Sequence, residues 1–474
     1  MFLNSNESSR VSIQNHIDSI FSSFCSSNVI HSFQKQRPLL QRWEQIWAQN
    51  LQKVAQMISL QTNRPLSYCL TEMKRALQTI EESLAAMDKL AQEDGDLVNY
   101  PQALAGPSQA SFHRFTMGPL FAITPFNFPI NLTFHKIIPA LALDLPFVCK
   151  PTLSTLPAFQ EIHALLLEAG FDEKRFGFLF CPDAHIEGYL THSQVPIISF
   201  TGSKPVGMHL KKTFWDRKVL CELGSTAVAL MAPDFKPDPS TIGRWASSIL
   251  GQGGQSCISL QHLFLPVCEA KSVLEDLKST LITKSRFTDR ENPQCEYNGL
   301  VNEEAVLKVS RWKNPFQNQP FFEVWSVPVP ESDLSPTLHY YPPCLVITTP
   351  HQPSWVKHLD SFQTEVFGPC AVVHLYEGGI EQALPFVNQL DSNIHLSVYS
   401  HHKDSHQKAF LGTWSHSVLQ NLPPSYRADA MPYGGVLFQF QRGWHAGLLA
   451  DEGPYQTMLE YTWKRAQVYA LPSP

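Results

Sequence analysis

From residue 118 onward the chain repeats one pattern: a short apolar run, a polar turn, a helix-length segment, then another apolar run. GPLFAITPF, LPFVCKP, RFGFLF and VPIISF are the runs. Each is too short for a helix and rich in aromatic and branched residues, so each is expected to form a buried strand. Between them, TLPAFQEIHALLLEAG has Pro157 near its first turn, apolar Phe159, Ile162, Leu165, Leu166 and Ala169 at helical spacing, and Gly170 just past its end. These are helix start and stop signals, and IIPALALDLP reads as another helical piece. The alternation predicts a parallel sheet covered by helices.

A second α/β stretch runs from TAVALMAP through QHLFLPV, CLVITTP, CAVVHLY and HLSVYS to SVLQNL, with GIEQALPFVNQL as a helix-like piece between strands. The first hundred residues read as two long amphipathic helices, RPLLQRWEQIWAQNLQKVAQMISLQ and LSYCLTEMKRALQTIEESLAAMDKLAQ, joined through Asn63–Pro65. A chain of 474 residues exceeds one compact core, so two or three domains are expected. The Pro-, Asn- and aromatic-rich stretch between 285 and 345 predicts irregular surface structure rather than another layer.

Charge and cysteine usage narrow the function. A formal net charge of −6 leaves no basic footprint, which argues against a nucleic-acid partner. The start, MFLNSNESSR, has neither a charged n-region nor an apolar h-region, and no window nears the length of a membrane span. The expectation is a soluble cytoplasmic protein with no membrane partner. The ten cysteines are scattered singly, with no CxxC pair and no zinc-site spacing, as suits a reducing compartment. Cys149 and Cys370 lie in apolar runs, where cysteine acts as a small buried hydrophobe.

Ligands of parallel sheets bind beyond the carboxyl ends of the strands, so the turns there are the places to search. ITPFNFP offers Asn127, FVCKPT offers Lys150, ISFTGSKPVG offers Ser203 and Gly207, and VLCELGS offers Glu222. Taken alone, an amide or lysine at a strand end is more often a cap or a solvated tip. GGQSCIS adds Cys257, and TEVFGP adds Glu365 and Phe367.

In this order, FTGS, ELG, GQSC and EVFGP resemble the aldehyde dehydrogenase superfamily, from about residue 36 to the end, with the motifs between 118 and 435. The resemblance implies an α/β fold with a Rossmann-type cofactor domain (1–103 and 119–224), a catalytic domain (225–430) and a small β oligomerisation element (104–118 and 460–474), residues 431–459 returning to the cofactor domain. It implies that Cys257 is the nucleophile, that Asn127 and the Cys257 N–H hold the oxyanion, and that Glu222 is the general base. It assigns NAD or NADP as cofactor to Thr124, Pro125, Phe126, Lys150, Thr152, Gly202, Ser203, Gly207, Leu223, Glu365 and Phe367. The implied partners are a small-molecule aldehyde and further copies of the chain, in a homodimer or homotetramer. No metal is implied.

Three features depart from the family pattern. Leu153 stands where many NAD-specific members carry a glutamate that holds the ribose hydroxyls, so discrimination against NADP should fall. ELGS replaces the commoner ELGG, and with CIS and MPYGG it resembles a branch acting on short-chain and functionalised aldehydes. After MPYGG the chain reads VLFQFQRGWHAGLLADEGPYQ in place of a glycine-rich turn near the substrate entrance. A catalytically silent relative with a binding or structural role is one alternative, suggested by Leu153 and the altered loop. A CoA-acylating relative is another, disfavoured by Glu222.

Overall fold

The computed structural model describes residues 2–4, 10–100, 108–286, 289–328, 339–348, 362, 364–390, 393–429, 431, 433–434 and 451–470. A short strand, β1 (Phe2–Asn4), is followed by helices α1 (Arg10–Ser22), α2 (Val29–Thr62) and α3 (Leu66–Glu93). The α2 helix begins before Arg37, because Asn28 caps it by accepting the Ile30 N–H at 2.8 Å. Asn63, in the left-handed region at φ 55°, ends α2, and Pro65 opens α3. The apolar faces of both helices are buried, with Trp43, Trp47 and Ile58 facing the core from one and Met73, Ile80 and Met87 from the other. The Trp47 indole is satisfied by the Met73 carbonyl at 3.1 Å.

Strands β2 (Leu97–Tyr100) and β3 (Ser108–Thr116) follow, then β4 (Leu120–Ile123), α4 (Asn131–Ala142), β5 (Phe147–Lys150), α5 (Leu156–Ala169), β6 (Phe176–Phe180), α6 (Ile186–His192), β7 (Ile197–Gly202), α7 (Lys204–Thr213) and β8 (Lys218–Leu223). The four runs read as strands are strands, and Gly170 closes α5 at φ 99°. The first sheet is parallel, in the order β1-β6-β5-β4-β7-β8. The chain builds outward from β4 through β5 to β6, then crosses back to β7 and β8. The order therefore reverses between β4 and β7, where such sheets bind ligands. Phe134 of α4 seals the helical layer against Trp43 and Trp47, at centroid distances of 5.8 and 4.7 Å.

Through Gly224, Ser225 and Thr226 the chain enters a second sheet without an intervening helix. Its elements are β9 (Ala227–Met231), α8 (Pro239–Leu250), β10 (Leu260–Pro266), α9 (Val267–Lys284), α10 (Glu303–Lys313), β11 (Phe322–Ser326), β12 (Cys344–Thr348), β13 (Cys370–Tyr376), β14 (His395–Tyr399) and β15 (Ser417–Gln420). The strand order is β11-β12-β13-β10-β9-β14-β15, parallel except for β11. The short pair β16 (Tyr433–Gly434) and β17 (Asp451–Glu452) precedes β18 (Thr462–Ala470), which lies antiparallel to β3 in the three-stranded sheet β18-β3-β2.

The segment from 285 to 345 departs from expectation. It supplies α10 and the antiparallel edge strand β11, and it buries Tyr297, Phe316, Phe322 and Tyr341 in one cluster with Phe362. Phe316 stacks on Phe362 at 4.8 Å. Its prolines and asparagines mark turns, but its aromatic rings carry enough apolar surface to form an edge of the core. Residues 329–338 of this stretch lie outside the described residues.

Buried histidines give the fold a pH dependence. His262 of β10 and His374 of β13 share a hydrogen bond of 2.9 Å, and His374 stacks on Phe264 at 4.4 Å. Burial holds His262 down to about 3 and His374 well below the ordinary imidazole range. Both rings stay neutral in the folded protein, while the unfolded chain takes up protons below about pH 6.5. Stability therefore falls as pH drops from 6.5 toward 3, by about 2 kcal/mol for each ring at pH 5. Urea denaturation at pH 7 and pH 5 should show this loss, and a His262→Gln/His374→Gln double variant should lose less over the same interval. Equal losses in the two proteins would contradict neutral buried rings.

Candidate active site

The two sheets meet so that the carboxyl ends of the first face loops at the amino ends of the second. Thr124, Pro125, Phe126 and Asn127 form the turn after β4, tied to β5 by the Thr124 N–H on the Lys150 carbonyl at 3.1 Å. Asn127 is buried, and its Nδ2 donates to the Gln255 carbonyl at 2.9 Å. Lys150 ends β5, and its buried ammonium pairs with the exposed carboxylate of Asp183 in the turn after β6. Thr152 precedes a short turn whose Leu153 is half exposed.

Gly202 ends β7 and Ser203 precedes α7, which the Ser203 side chain does not cap. Gly207 lets α7 lie close on β8, since a Cβ there would come within 2.4 Å of Leu223 Cδ2. Glu222 is the penultimate residue of β8 rather than lying after the strand, and it is buried with Leu223.

The loop before β10 is wound by three successive left-handed residues, Gln252 (φ 54°), Gly253 (φ 70°) and Gly254 (φ 65°). Gly254 is obligatory, because a Cβ would meet the Gly368 carbonyl oxygen at 2.0 Å. The Gln255 side chain then locks the loop, donating to the Gln252 carbonyl at 2.9 Å and accepting the Val301 N–H at 3.0 Å. Cys257 follows on this loop, partly exposed, and packs against Ile258 and Ile394.

Gln261 in β10 clamps the remaining pieces together. Its Nε2 donates to the Ser225 carbonyl at 2.8 Å, and its Oε1 accepts the Val366 N–H at 2.9 Å. Ser225, the residue in place of the usual glycine, accepts the Ile394 N–H at 3.1 Å through its hydroxyl. Its own N–H donates to Glu365 Oε1 at 3.0 Å. Gly224 leaves room for that carboxylate, since a Cβ would lie 2.1 Å from Glu365 Oε2. Phe367 meets Phe126 edge-on at 5.9 Å, closing the gap between the sheets.

These contacts join the loops that carry Asn127, Cys257, Glu365 and Phe367 to the passage between the sheets. Glu222 directly precedes that passage, Lys150, Thr152, Gly202 and Ser203 lie at the ends of β5 and β7, and Gly207 lies in the first turn of α7. Cys257 and Glu365 sit before their strands, opposite to the rule used to search the sequence. Sequence reasoning missed Asp183, Gln252 and Gln261. Gln261 was detectable as an amide inside the apolar run LQHLFLP.

Among the ten cysteines, Cys257 has the distinctive setting. Seven are buried, and burial pushes the thiols of Cys69, Cys181 and Cys295 up to about 11 and that of Cys149 to about 12. Such thiols stay protonated at neutral pH and are poor nucleophiles. Cys25 and Cys268 are exposed, one between α1 and α2 and the other in α9. Of the MPYGG motif, Pro432 and Gly435 lie outside the described residues, as do 436–450 of the atypical loop. Among the described residues no helix is long and apolar enough to cross a membrane, and no cluster of three metal-ligating side chains occurs.

Comparison with known proteins places this geometry. The 3-sulfolactaldehyde dehydrogenase of Priestia aryabhattai is 25% identical over 393 residues, covering 81% of this chain and 77% of that protein. Aldehyde dehydrogenase 21 of Physcomitrella patens, solved with succinate, superimposes with a TM-score of 0.83 at 20% identity, covering 98% of this chain and 91% of that one. The NADP complex of glyceraldehyde-3-phosphate dehydrogenase from Methanocaldococcus jannaschii gives 0.79 at 18% identity, covering 98% and 95%. The aldehyde dehydrogenase family model matches residues 30–437, from the start of α2 past the whole junction, and the chain belongs to that family.

Proposed function

We propose that Cys257 is the nucleophile of an NAD- or NADP-dependent oxidation that turns a small aldehyde into its carboxylic acid. The observation that carries this reading is the bond from Asn127 Nδ2 to the Gln255 carbonyl, which holds a side-chain amide beside the loop of the thiol. A primary amide has two N–H donors. In this reading the other donor of Asn127, together with the Cys257 N–H, binds the oxyanion formed when the thiolate attacks the aldehyde carbon.

A nicotinamide held beside Cys257 by Glu365 and Phe367 would supply the acceptor for the hydride that leaves this carbon. The thioester left on Cys257 is then hydrolysed by a water that Glu222 deprotonates, which releases the acid and frees the thiolate. Burial of Glu222 within β8 keeps its carboxylate at a fixed place for that step.

The residues present fit the cofactor. The N-terminus of α7 behind Gly202 and Ser203, which the Ser203 side chain leaves uncovered, suits a pyrophosphate. Lys150 and Thr152 stand at the next strand end, for the adenine-side ribose. In this reading Thr124, Pro125, Phe126, Leu223, Glu365 and Phe367 hold the nicotinamide half. Leu153 brings no carboxylate to this strand end, whereas Asp183 brings one to Lys150.

The relative that acts on 3-sulfolactaldehyde supports a short functionalised aldehyde as substrate. The three-stranded sheet leaves Leu97, Val98, Val468 and Tyr469 exposed, which supports its use in pairing subunits of a homodimer or homotetramer. Ten free thiols support a reducing compartment such as the cytoplasm. The division into cofactor, catalytic and oligomerisation units by residue range belongs to the same proposal.

Cys257→Ala should lower turnover of an aldehyde panel by roughly 10³-fold or more while NAD(P) binding persists. Appreciable turnover by this variant would overturn the assignment.

Glu222→Gln should give a rapid burst of reduced cofactor followed by slow turnover, as hydrolysis slows more than acylation. Parallel loss of burst and steady state would place Glu222 in thiol activation instead.

Cofactor choice is relaxed, with NADP used within about tenfold of NAD, the decade that 1.4 kcal/mol represents. Leu153→Glu should favour NAD by about one to two decades, the value of hydrogen bonds to a charged acceptor. Asp183→Asn should shift binding toward NADP. Fluorescence titration of both cofactors checks all three, and strict NAD preference with no response to either substitution would refute the reading.

A further inference from the structure

A closed circuit of buried hydrogen bonds joins the Asn127 loop to the Cys257 loop through two residues remote from both in sequence. Glu72 of α3 accepts the Ile130 and Asn131 N–H groups at 2.7 and 3.1 Å through Oε1, fixing the entrance to α4 just after Asn127. Its other oxygen takes Arg64 Nη1 at 2.6 Å. Arg64, in the α2–α3 turn, donates through Nε to Gln252 Oε1 at 2.5 Å. The Gln252 carbonyl accepts Gln255 Nε2, and the Gln255 carbonyl accepts Asn127 Nδ2, each at 2.9 Å. The circuit closes there, two residues before Cys257.

Every side chain in it is buried, from Glu72 at 0% exposure to Arg64 at 7%. Arg64, Asn127, Gln252 and Gln255 also share the wall of one cavity of about 400 Å³. Taking a charged pair out of water offsets most of its attraction, so stability alone gives little reason for placing one here. Its geometry gives a better one. Gln252 is held in a left-handed conformation that non-glycine residues adopt at a cost, and such conformations persist where surrounding bonds over-determine them. Arg64 bonds the Gln252 side chain while Gln255 bonds its carbonyl, so the twist of the thiol loop is referenced to the same ion pair that fixes the amide loop.

We propose that Arg64 and Glu72 are positioning residues for the reaction, setting the place of the Asn127 amide relative to the Cys257 thiol. The proposal rests on the reading of Asn127 as oxyanion donor and Cys257 as nucleophile. Neither Arg64 nor Glu72 reaches the substrate in this scheme. Their removal acts through Asn127, in the transition state, and leaves ground-state binding nearly as it was.

The test is a double-mutant cycle between Arg64→Met and Asn127→Ala, read as kcat, aldehyde KM and cofactor Kd. Arg64→Met should lower kcat by roughly 30- to 100-fold, the scale of a displacement of about 1 Å, with KM and Kd changed less than about threefold. In the Asn127→Ala background the same substitution should cost less than about threefold more, because residues acting through one group are not additive. Gln252→Asn covers the case in which Arg64→Met fails to fold. Asparagine tolerates the left-handed region but is too short to reach Arg64, so it should reproduce the fall in kcat, whereas Arg64→Lys should restore it in part. Losses that multiply across the cycle, or an unchanged kcat in Gln252→Asn, would overturn the inference alone. An unchanged kcat in Asn127→Ala would overturn the parent reading and this inference together.

Discussion

One buried hydrogen bond, donated by Asn127 Nδ2 to the Gln255 carbonyl, holds the two halves of the proposed site in register. Asn127 belongs to the carboxyl end of β4 and Gln255 to the loop before β10, so this contact joins one sheet to the other at the place where chemistry is proposed. Other features make it possible. The left-handed run Gln252–Gly254 brings the Gln255 carbonyl round to the amide, and Gly254 allows the loop to pass the Gly368 backbone. Gln261 ties the passage between sheets to the loop bearing Glu365. The bonds that set the Asn127 and Cys257 loops here are made by amide side chains and backbone groups, whose directional geometry fixes positions.

Burial sorts the reactive groups by function. Ten cysteines share one chain, yet desolvation raises most buried thiols far above neutral pH. The histidines show the mirror effect, since burial of His262, His374 and His395 holds them neutral. The interior therefore contains many titratable side chains that do not titrate near pH 7. The proposed reaction is assigned to groups at the junction between the sheets.

Much of the fold was legible because it follows from local periodicity. Helices α2 and α3 show a clear apolar stripe, and the strands of the first sheet are apolar runs bounded by turn residues. Elements stabilised mainly by tertiary contact were not legible. Strand β1 has only three residues and pairs with β6, whereas β11 is an edge strand in a proline-rich stretch whose turn signals outweigh its alternation. The proposed site rests on short motifs, which name Asn127, Glu222, Cys257, Glu365 and Phe367 but not the side chains that hold their loops. Asp183, Gln252 and Gln261 act through partners distant in sequence, and no spacing rule points to such pairs. The carboxyl-end rule also served only the first sheet, because the second presents its amino ends to the cleft.

The covalent step offers the clearest test. Protein mixed with an aldehyde and NAD(P), quenched in acid during turnover and digested, should show by mass spectrometry the acyl group of that aldehyde on the peptide bearing Cys257 and on no other cysteine. Active turnover with the acyl group on a different residue, or with none trapped even when Glu222→Gln slows hydrolysis, would contradict the role of Cys257.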